Sequence, residues 1–232
     1  MGQVSAATLS AQQRAVLGEM EIDVWVTRSS TPAESPVLAT DPLVEGGWEK
    51  LNKIIHECAH CELHQSRTQV VCGVGNKTAD WLIIGEAPGV EEDKQGEPFV
   101  GRAGQLLNEM LRATGLVREQ VFIANILKCR PPDDRNPSPD EVAQCMPYLQ
   151  QQIEMLQPRL ILLLGGVAAH NLLQVATPVG KLRGQVHHYG EANIPVVVTY
   201  HPAYLLRKPG QKNKSWDDLM LAMDVAQELE NG

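Results

Sequence analysis

The chain has 232 residues, enough to bury one sizeable core but too few to make two full domains comfortable. Its composition, 43% hydrophobic and 21% charged, is ordinary for a globular protein, and no apolar run nears the roughly 20 residues of a membrane span. The polar start, Met1 to Gly18, lacks a signal peptide's basic front and apolar middle, so a cytoplasmic protein is expected; the net charge of −8 argues mildly against a nucleic-acid binder unless the basic residues are clustered.

Residues 1–47 read as an N-terminal arm and linker, and residues 48–232 as the main domain. The arm carries a short amphipathic piece (Val16, Leu17, Met20), then Asp23-Val-Trp-Val-Thr27, then a Ser/Thr/Pro/Ala tract from Ser29 to Pro42 with linker composition. Its acids (Glu19, Glu21, Asp23, Glu34, Asp41, Glu45) make it a poor surface for a polyanion, while Asp23–Thr27 is a candidate docking segment.

Beyond the arm, Cys58-x-x-Cys61 is a tight metal-type pair, with His56, His60 and His64 around it. Trp81–Ile84, Val121–Ala124, Leu160–Leu164 and Pro195–Thr199 are short apolar runs that fit strands buried on both faces. Between them lie helical patterns. Ala103–Thr114 puts Leu106, Leu107, Met110 and Leu111 on one stripe and can end at Gly115. Ser138-Pro-Asp-Glu141 is a capping box with Pro at the first helical position, opening a helix with Val142, Cys145, Met146, Leu149, Ile153 and Leu156 at helical spacing. Gly165–Leu173 is a third helix, and Ser215 can cap a last one carrying Leu219, Met220, Met223 and Ala226. This alternation predicts an α/β fold: a three-layer α/β/α sandwich around a mainly parallel sheet of about four strands.

Ligands of such sheets sit beyond the C-terminal strand ends. Four segments fall there: Gly85–Gly89, Asn125 onward, Gly165-Gly166 and His201-Pro-Ala-Tyr204. From Lys181 to Lys214 the bases are Lys181, Arg183, Arg207, Lys208, Lys212 and Lys214 against one acid, Glu191; the stretch can face phosphates or be a plain solvated surface. Five cysteines in a cytosolic chain point to metal, redox chemistry or burial rather than disulfides. Cys58 and Cys61 with the distant Cys129 and Cys145 can form a four-thiolate site for zinc or an iron–sulfur cluster. Cys145 lies on an apolar stripe, so simple burial is the competing explanation, and the nearby histidines keep a mixed zinc site open. Cys72 is read as no ligand.

Gly85-Glu-Ala-Pro-Gly89, Asn125-Ile-Leu-Lys-Cys-Arg-Pro-Pro132 and His201-Pro-Ala-Tyr-Leu-Leu-Arg207, taken with the four cysteines, resemble family 4 of the uracil-DNA glycosylase superfamily over roughly residues 48–232. The resemblance implies excision of uracil from single- or double-stranded DNA by hydrolysis of the N-glycosidic bond, and a structural [4Fe–4S] cluster on Cys58, Cys61, Cys129 and Cys145. It lacks the Arg-rich, His-bearing loop of a related group that traps DNA covalently, so ordinary turnover is expected. Asn125 then reads the uracil edge, since one carboxamide offers an acceptor for N3–H and a donor for O4; a turn-forming Asn after a strand is the plainer alternative. Phe99 becomes the ring on which the flipped base stacks, or else a loop residue plugging the core. Glu92 blocks the space of a 5-methyl group, or else is a solvated member of an acidic run.

His201 is placed to donate to uracil O2 as negative charge grows there, with the backbone of Gly85 to Ala87 also within reach of that oxygen. Where the best-studied branch has a water-activating aspartate this chain has Ala87, which leaves Glu86 as the candidate carboxylate. Arg207 and Lys208 follow the His201 loop, Leu205 or Leu206 is the candidate wedge into the duplex, and Arg102, Lys181 and Arg183 are candidate phosphate contacts. A non-catalytic DNA-binding module, a zinc protein and a nucleotide-binding regulator compete; no GxxxxGK[ST] or GxGxxG stands at the strand-end turns to favour the last. There is no oligomeric signal, and a monomer is expected.

Overall fold

A computed structural model describes residues 47–231, so the arm read over residues 1–47, with its Asp23–Thr27 segment and Pro-rich tract, lies outside the described residues except for Gly47. Six strands form one sheet in the order β1-β3-β2-β4-β6-β5: β1 (Val74–Gly75), β2 (Trp81–Gly85), β3 (Phe122–Asn125), β4 (Leu160–Leu164), β5 (Val186–Tyr189) and β6 (Ile194–Thr199). The four expected runs are the parallel centre, β3-β2-β4-β6. Two further strands flank it, β1 on β3 and β5 on β6, both antiparallel. The sheet is therefore mixed, with the parallel strands in the middle, where both faces must be covered.

Alternation along the strands sorts the core into two halves. Leu82, Ile84, Phe122, Ala124, Ile161, Leu163, Val196 and Val198 face one way. They meet Leu51 and Ile55 of α1 (Gly47–Glu57), and Ala168, Ala169 and Leu172 of the helix after β4. Trp81, Ile83, Ile123, Leu160, Leu162, Leu164 and Val197 face the other, against Leu107, Met110 and Leu111 of the helix before β3 and Leu219 and Ala222 of the C-terminal helix. Helices in chain order are α1, α2 (Leu63–Ser66), α3 (Val90–Gln95), α4 (Arg102–Ala113), α5 (Pro139–Leu156), α6 (Gly166–Leu173), α7 (Val179–Leu182), α8 (Pro202–Arg207) and α9 (Lys212–Asn231). The capping box of α5 forms as expected, with Ser138 Oγ accepting from the Glu141 amide and the Glu141 carboxylate from the Ser138 amide.

One boundary differs from expectation. The last helix starts at Lys212, directly after the turn Pro209–Gln211, so Ser215 lies inside α9, buried, and does not cap it. No helix among the described residues is long and apolar enough to cross a membrane.

Chain order reverses at β2: the next strand adds on one side of it, and the two after that among the parallel set add on the other. Open α/β sheets bind ligands at such a switch, beyond the C-terminal strand ends. Gly85 ends β2 in register with Asn125, which ends β3, and His201 follows β6.

Candidate active site

A cleft of about 440 Å³ opens at that end of the sheet, lined by Glu86, Ala87, Glu92, Phe99, Asn125, His201 and Arg207 together with Pro131–Asn136 residues. This is within the range for small-ligand sites. A roomier cavity, of about 1000 Å³, lies among Pro158, Arg159, Asn193 and Pro195 at the opposite strand ends, the wrong end for a ligand of a parallel sheet.

Asn125 is 2% exposed, and its Oδ1 has no hydrogen-bond partner among the described residues. A buried carboxamide oxygen left unpaired costs roughly 1–3 kcal/mol, so it marks a place made for a donor that arrives from outside. Phe99 stands beside it. A methyl group on Gly85 would lie 2.4 Å from Asn125 Oδ1 and 2.5 Å from Phe99 Cζ, so the absence of that methyl is what lets amide and ring share one wall.

Phe99 adopts a left-handed backbone, φ +54°, which an aromatic residue rarely takes unless its surroundings impose it. Three contacts impose it. Arg118 donates to the Phe99 carbonyl at 3.2 Å and also to that of Pro98. Glu92 Oε1 accepts from the Val100 and Gly101 amides, both at 3.0 Å. Gly104 of α4 lies so close under the loop that a Cβ there would be 1.7 Å from the Phe99 oxygen. Glu92 is thus a cleft wall and the anchor of the aromatic loop at once.

On the other side of the ring, His201 lies with its centroid 5.6 Å from that of Phe99. His201 precedes α8, and its Nδ1 accepts from the Ala203 amide at 3.2 Å, so in the neutral ring the proton sits on Nε2. Burial, and then the nearby Arg207 guanidinium, push its pKa down to about 4. At neutral pH the imidazole is an uncharged Nε2–H donor. Burial also raises the Glu86 carboxyl above its ordinary value.

The other wall was not foreseen. Arg135 is tied to Glu141 of α5 at 2.9 Å and to the Asn136 carbonyl at 3.0 Å, and Arg130 pairs with Asp134 at 2.8 Å. These contacts hold Pro131, Asp134, Arg135 and Asn136 at the mouth. Arg102, Lys181, Leu206 and Lys208 are exposed but do not line the cleft. Two expected DNA contacts are corrected. Leu205 is 1% exposed and packs in the core, so of the candidate wedges only Leu206, at 37%, is free to leave the surface. Arg183 lies against the fully buried Asp218, with Nη2 to Oδ1 at 3.0 Å and Nε to Oδ2 at 3.0 Å, so its charge is already spent.

Apart from this cleft, Cys58, Cys61, Cys129 and Cys145 line one small cavity with His60, His64, Arg67 and Tyr148. Cys72 is buried in the core and does not line that cavity. Arg67 donates to Cys129 Sγ at 3.1 Å, and the Lys128 amide to Cys145 Sγ at 3.2 Å. Burial raises the thiols of Cys61, Cys129 and Cys145, the last to about 12. Among the described residues no three His, Cys, Asp or Glu side chains gather around a single ion position.

The sequence matches the family model described as the uracil DNA glycosylase superfamily over residues 72–220. It is 45% identical over 171 residues to the type-4 uracil-DNA glycosylase of Archaeoglobus fulgidus, covering 69% of this chain and 85% of that one. It is 43% identical over 179 residues to the type-4 enzyme of Pyrobaculum aerophilum, covering 75% and 91% of the two chains. With the Thermotoga maritima type-4 enzyme the identity is 45% over 166 residues, covering 68% and 85%. By the extent of these matches, the chain belongs to the uracil DNA glycosylase superfamily, among its type-4 members.

Proposed function

We propose that this protein excises uracil from DNA, hydrolysing the bond between the base and deoxyribose and leaving an abasic site. The observation that carries the reading is the unpartnered Asn125 Oδ1, buried beside the Phe99 ring in a cleft at the switch point of the sheet. A uracil turned out of the duplex stacks on Phe99, gives its N3–H to Asn125 Oδ1 and takes a bond from the amide nitrogen at O4. Cytosine presents the reverse pattern and would leave both groups unpaired. Glu92, a cleft residue held by the Val100 and Gly101 amides, supports a role in excluding the 5-methyl group of thymine.

As the N-glycosidic bond breaks, negative charge builds on the base and positive charge on the sugar. The neutral His201 donates from Nε2 to O2 without first giving up a proton, and a donor already aimed costs no reorganisation at that moment. Glu86, the remaining carboxylate without a fixed partner in the cleft, orients the attacking water or faces the sugar cation. Arg207 at the mouth, with exposed Arg102, Lys181 and Lys208 around it, meets phosphates, and Leu206 fills the space the base vacates.

Four thiols lining one cavity are the donor set that a [4Fe–4S] cluster takes. The cluster would pin the segment after α1 and the loop after Asn125 to α5, a structural role. The reading is completed by a cytoplasmic monomer whose residues before the glycosylase domain form a linker arm.

The test is incubation of the full chain with a duplex oligonucleotide holding one uracil, followed by alkaline cleavage at abasic sites. Strand scission at the uracil is expected; tight binding without scission would favour a non-catalytic DNA-binding module.

A further inference from the structure

Lys128 is a lysine where a lysine is costly: it is 1% exposed, the largest side chain among those fully buried. None of the ion pairs among the described residues gives it a carboxylate. Its Nζ donates instead to two neutral acceptors, the Asn125 carbonyl at 2.9 Å and Gln152 Oε1 at 2.6 Å. Gln152 is held in turn by donating to the Cys72 carbonyl at 2.7 Å. At its other end, the Lys128 backbone lies against the thiols, its amide 3.2 Å from Cys145 Sγ and its successor being Cys129. Lys128 itself lines the cavity that Cys58, Cys61, Cys129 and Cys145 share.

A buried cation needs a counter-charge. Four thiolates around an iron–sulfur core leave a net negative centre, and this lysine lies between that centre and the backbone of the residue that meets the base. We propose that Lys128 is the counter-ion of the four-cysteine centre and the positioning residue of Asn125, so that the centre and uracil recognition are joined through one ammonium. The inference rests on the uracil and cluster readings above. It differs from a purely structural cluster in predicting that base discrimination and cluster retention share one side chain.

The experiment uses anaerobically purified full chain and two variants, Lys128→Met, which keeps the length and removes the charge, and Gln152→Leu, which keeps the charge and removes one acceptor. Two quantities are read: the rate at which a chelator bleaches the visible absorbance, and the ratio of affinities for two oligonucleotides, one with a non-hydrolysable 2′-fluorinated deoxyuridine and one with thymidine. Lys128→Met is expected to bleach faster and to lose uracil-over-thymine preference, each by about 10–100-fold, the usual effect of removing a residue behind a metal's own ligands. Gln152→Leu is expected to bleach at the wild-type rate with an intermediate loss of preference.

A folded Lys128→Met with wild-type preference overturns the positioning role, and one with wild-type bleaching overturns the counter-ion role. Should that variant fail to fold, unchanged preference in Gln152→Leu overturns the link to Asn125. A wild-type chain without iron, or without uracil excision, would instead sink the underlying readings, and so the two failures are told apart.

Discussion

Gly85→Ala adds one methyl group, and the structure says where it goes: 2.4 Å from Asn125 Oδ1 and 2.5 Å from Phe99 Cζ. Both distances fall roughly 1 Å short of van der Waals contact, so one of the two groups must give way. Neither moves cheaply. Asn125 is a β3 residue paired with Gly85 itself, and the Phe99 loop is clamped by Arg118, Glu92 and the backbone over Gly104. Overpacking of this kind costs about 1–3 kcal/mol of stability. A displacement of about 1 Å in a positioning group costs about 10²-fold in rate. The assay is single-turnover excision from a uracil oligonucleotide with enzyme in excess, beside a thermal melt. A folded variant slowed by about 10²-fold is expected. A folded variant cutting at the wild-type rate would mean that Asn125 and Phe99 do not hold the base between them.

Three other outcomes follow from single side chains. His201→Ala should slow single-turnover cleavage by about 10²–10³-fold, the cost of one transition-state donor. In the wild type, a His201 pKa near 4 keeps the ring neutral from pH 8 down to 5, so ionisation of His201 should not shape the rate there; the acid limb should come from Glu86, begin above the ordinary carboxylate range because burial raises that group, and vanish in Glu86→Gln. Leu205→Ala should cost about 2–5 kcal/mol of stability by opening a core cavity, whereas Leu206→Ala should leave the melt unchanged and slow cleavage of duplex more than of single-stranded DNA. Arg183→Ala should cost about 3–5 kcal/mol by stranding Asp218, with little change in the salt dependence of DNA binding, while Lys208→Ala should lower that slope by about one.

The parallel centre of the fold was legible because β2, β3, β4 and β6 are buried on both faces and so read as unbroken apolar runs. The edges were not. β1 has two residues, and β5, Val186-His-His-Tyr189, carries polar residues that only pairing with β6 turns into a strand. In the site, Asn125 and His201 were read from motifs at the ends of β3 and β6, and Phe99 from the loop between α3 and α4. The Pro131–Asn136 wall escaped because its tie is made by a capping residue: Glu141 was read as opening a helix, not as the partner of Arg135. Lys128 was not singled out, although it stands inside a stretch, Val121 to Cys129, that is buried throughout. Arg183 was read within a basic run whose neutralising acid, Asp218, lies 35 positions along the chain. The choice between Leu205 and Leu206 needed the helix to be docked, because neighbouring helical positions point about 100° apart.

The most direct measurement of base recognition is the single-turnover rate of the full chain on four oligonucleotides identical except for uracil, thymine, cytosine or hypoxanthine at one position. A carboxamide that accepts from N3–H and donates to O4, beside a wall closed to a 5-methyl group, predicts cleavage at uracil and a rate at cytosine lower by about 10⁴-fold or more. Comparable rates at uracil and cytosine, or at uracil and thymine, would contradict it.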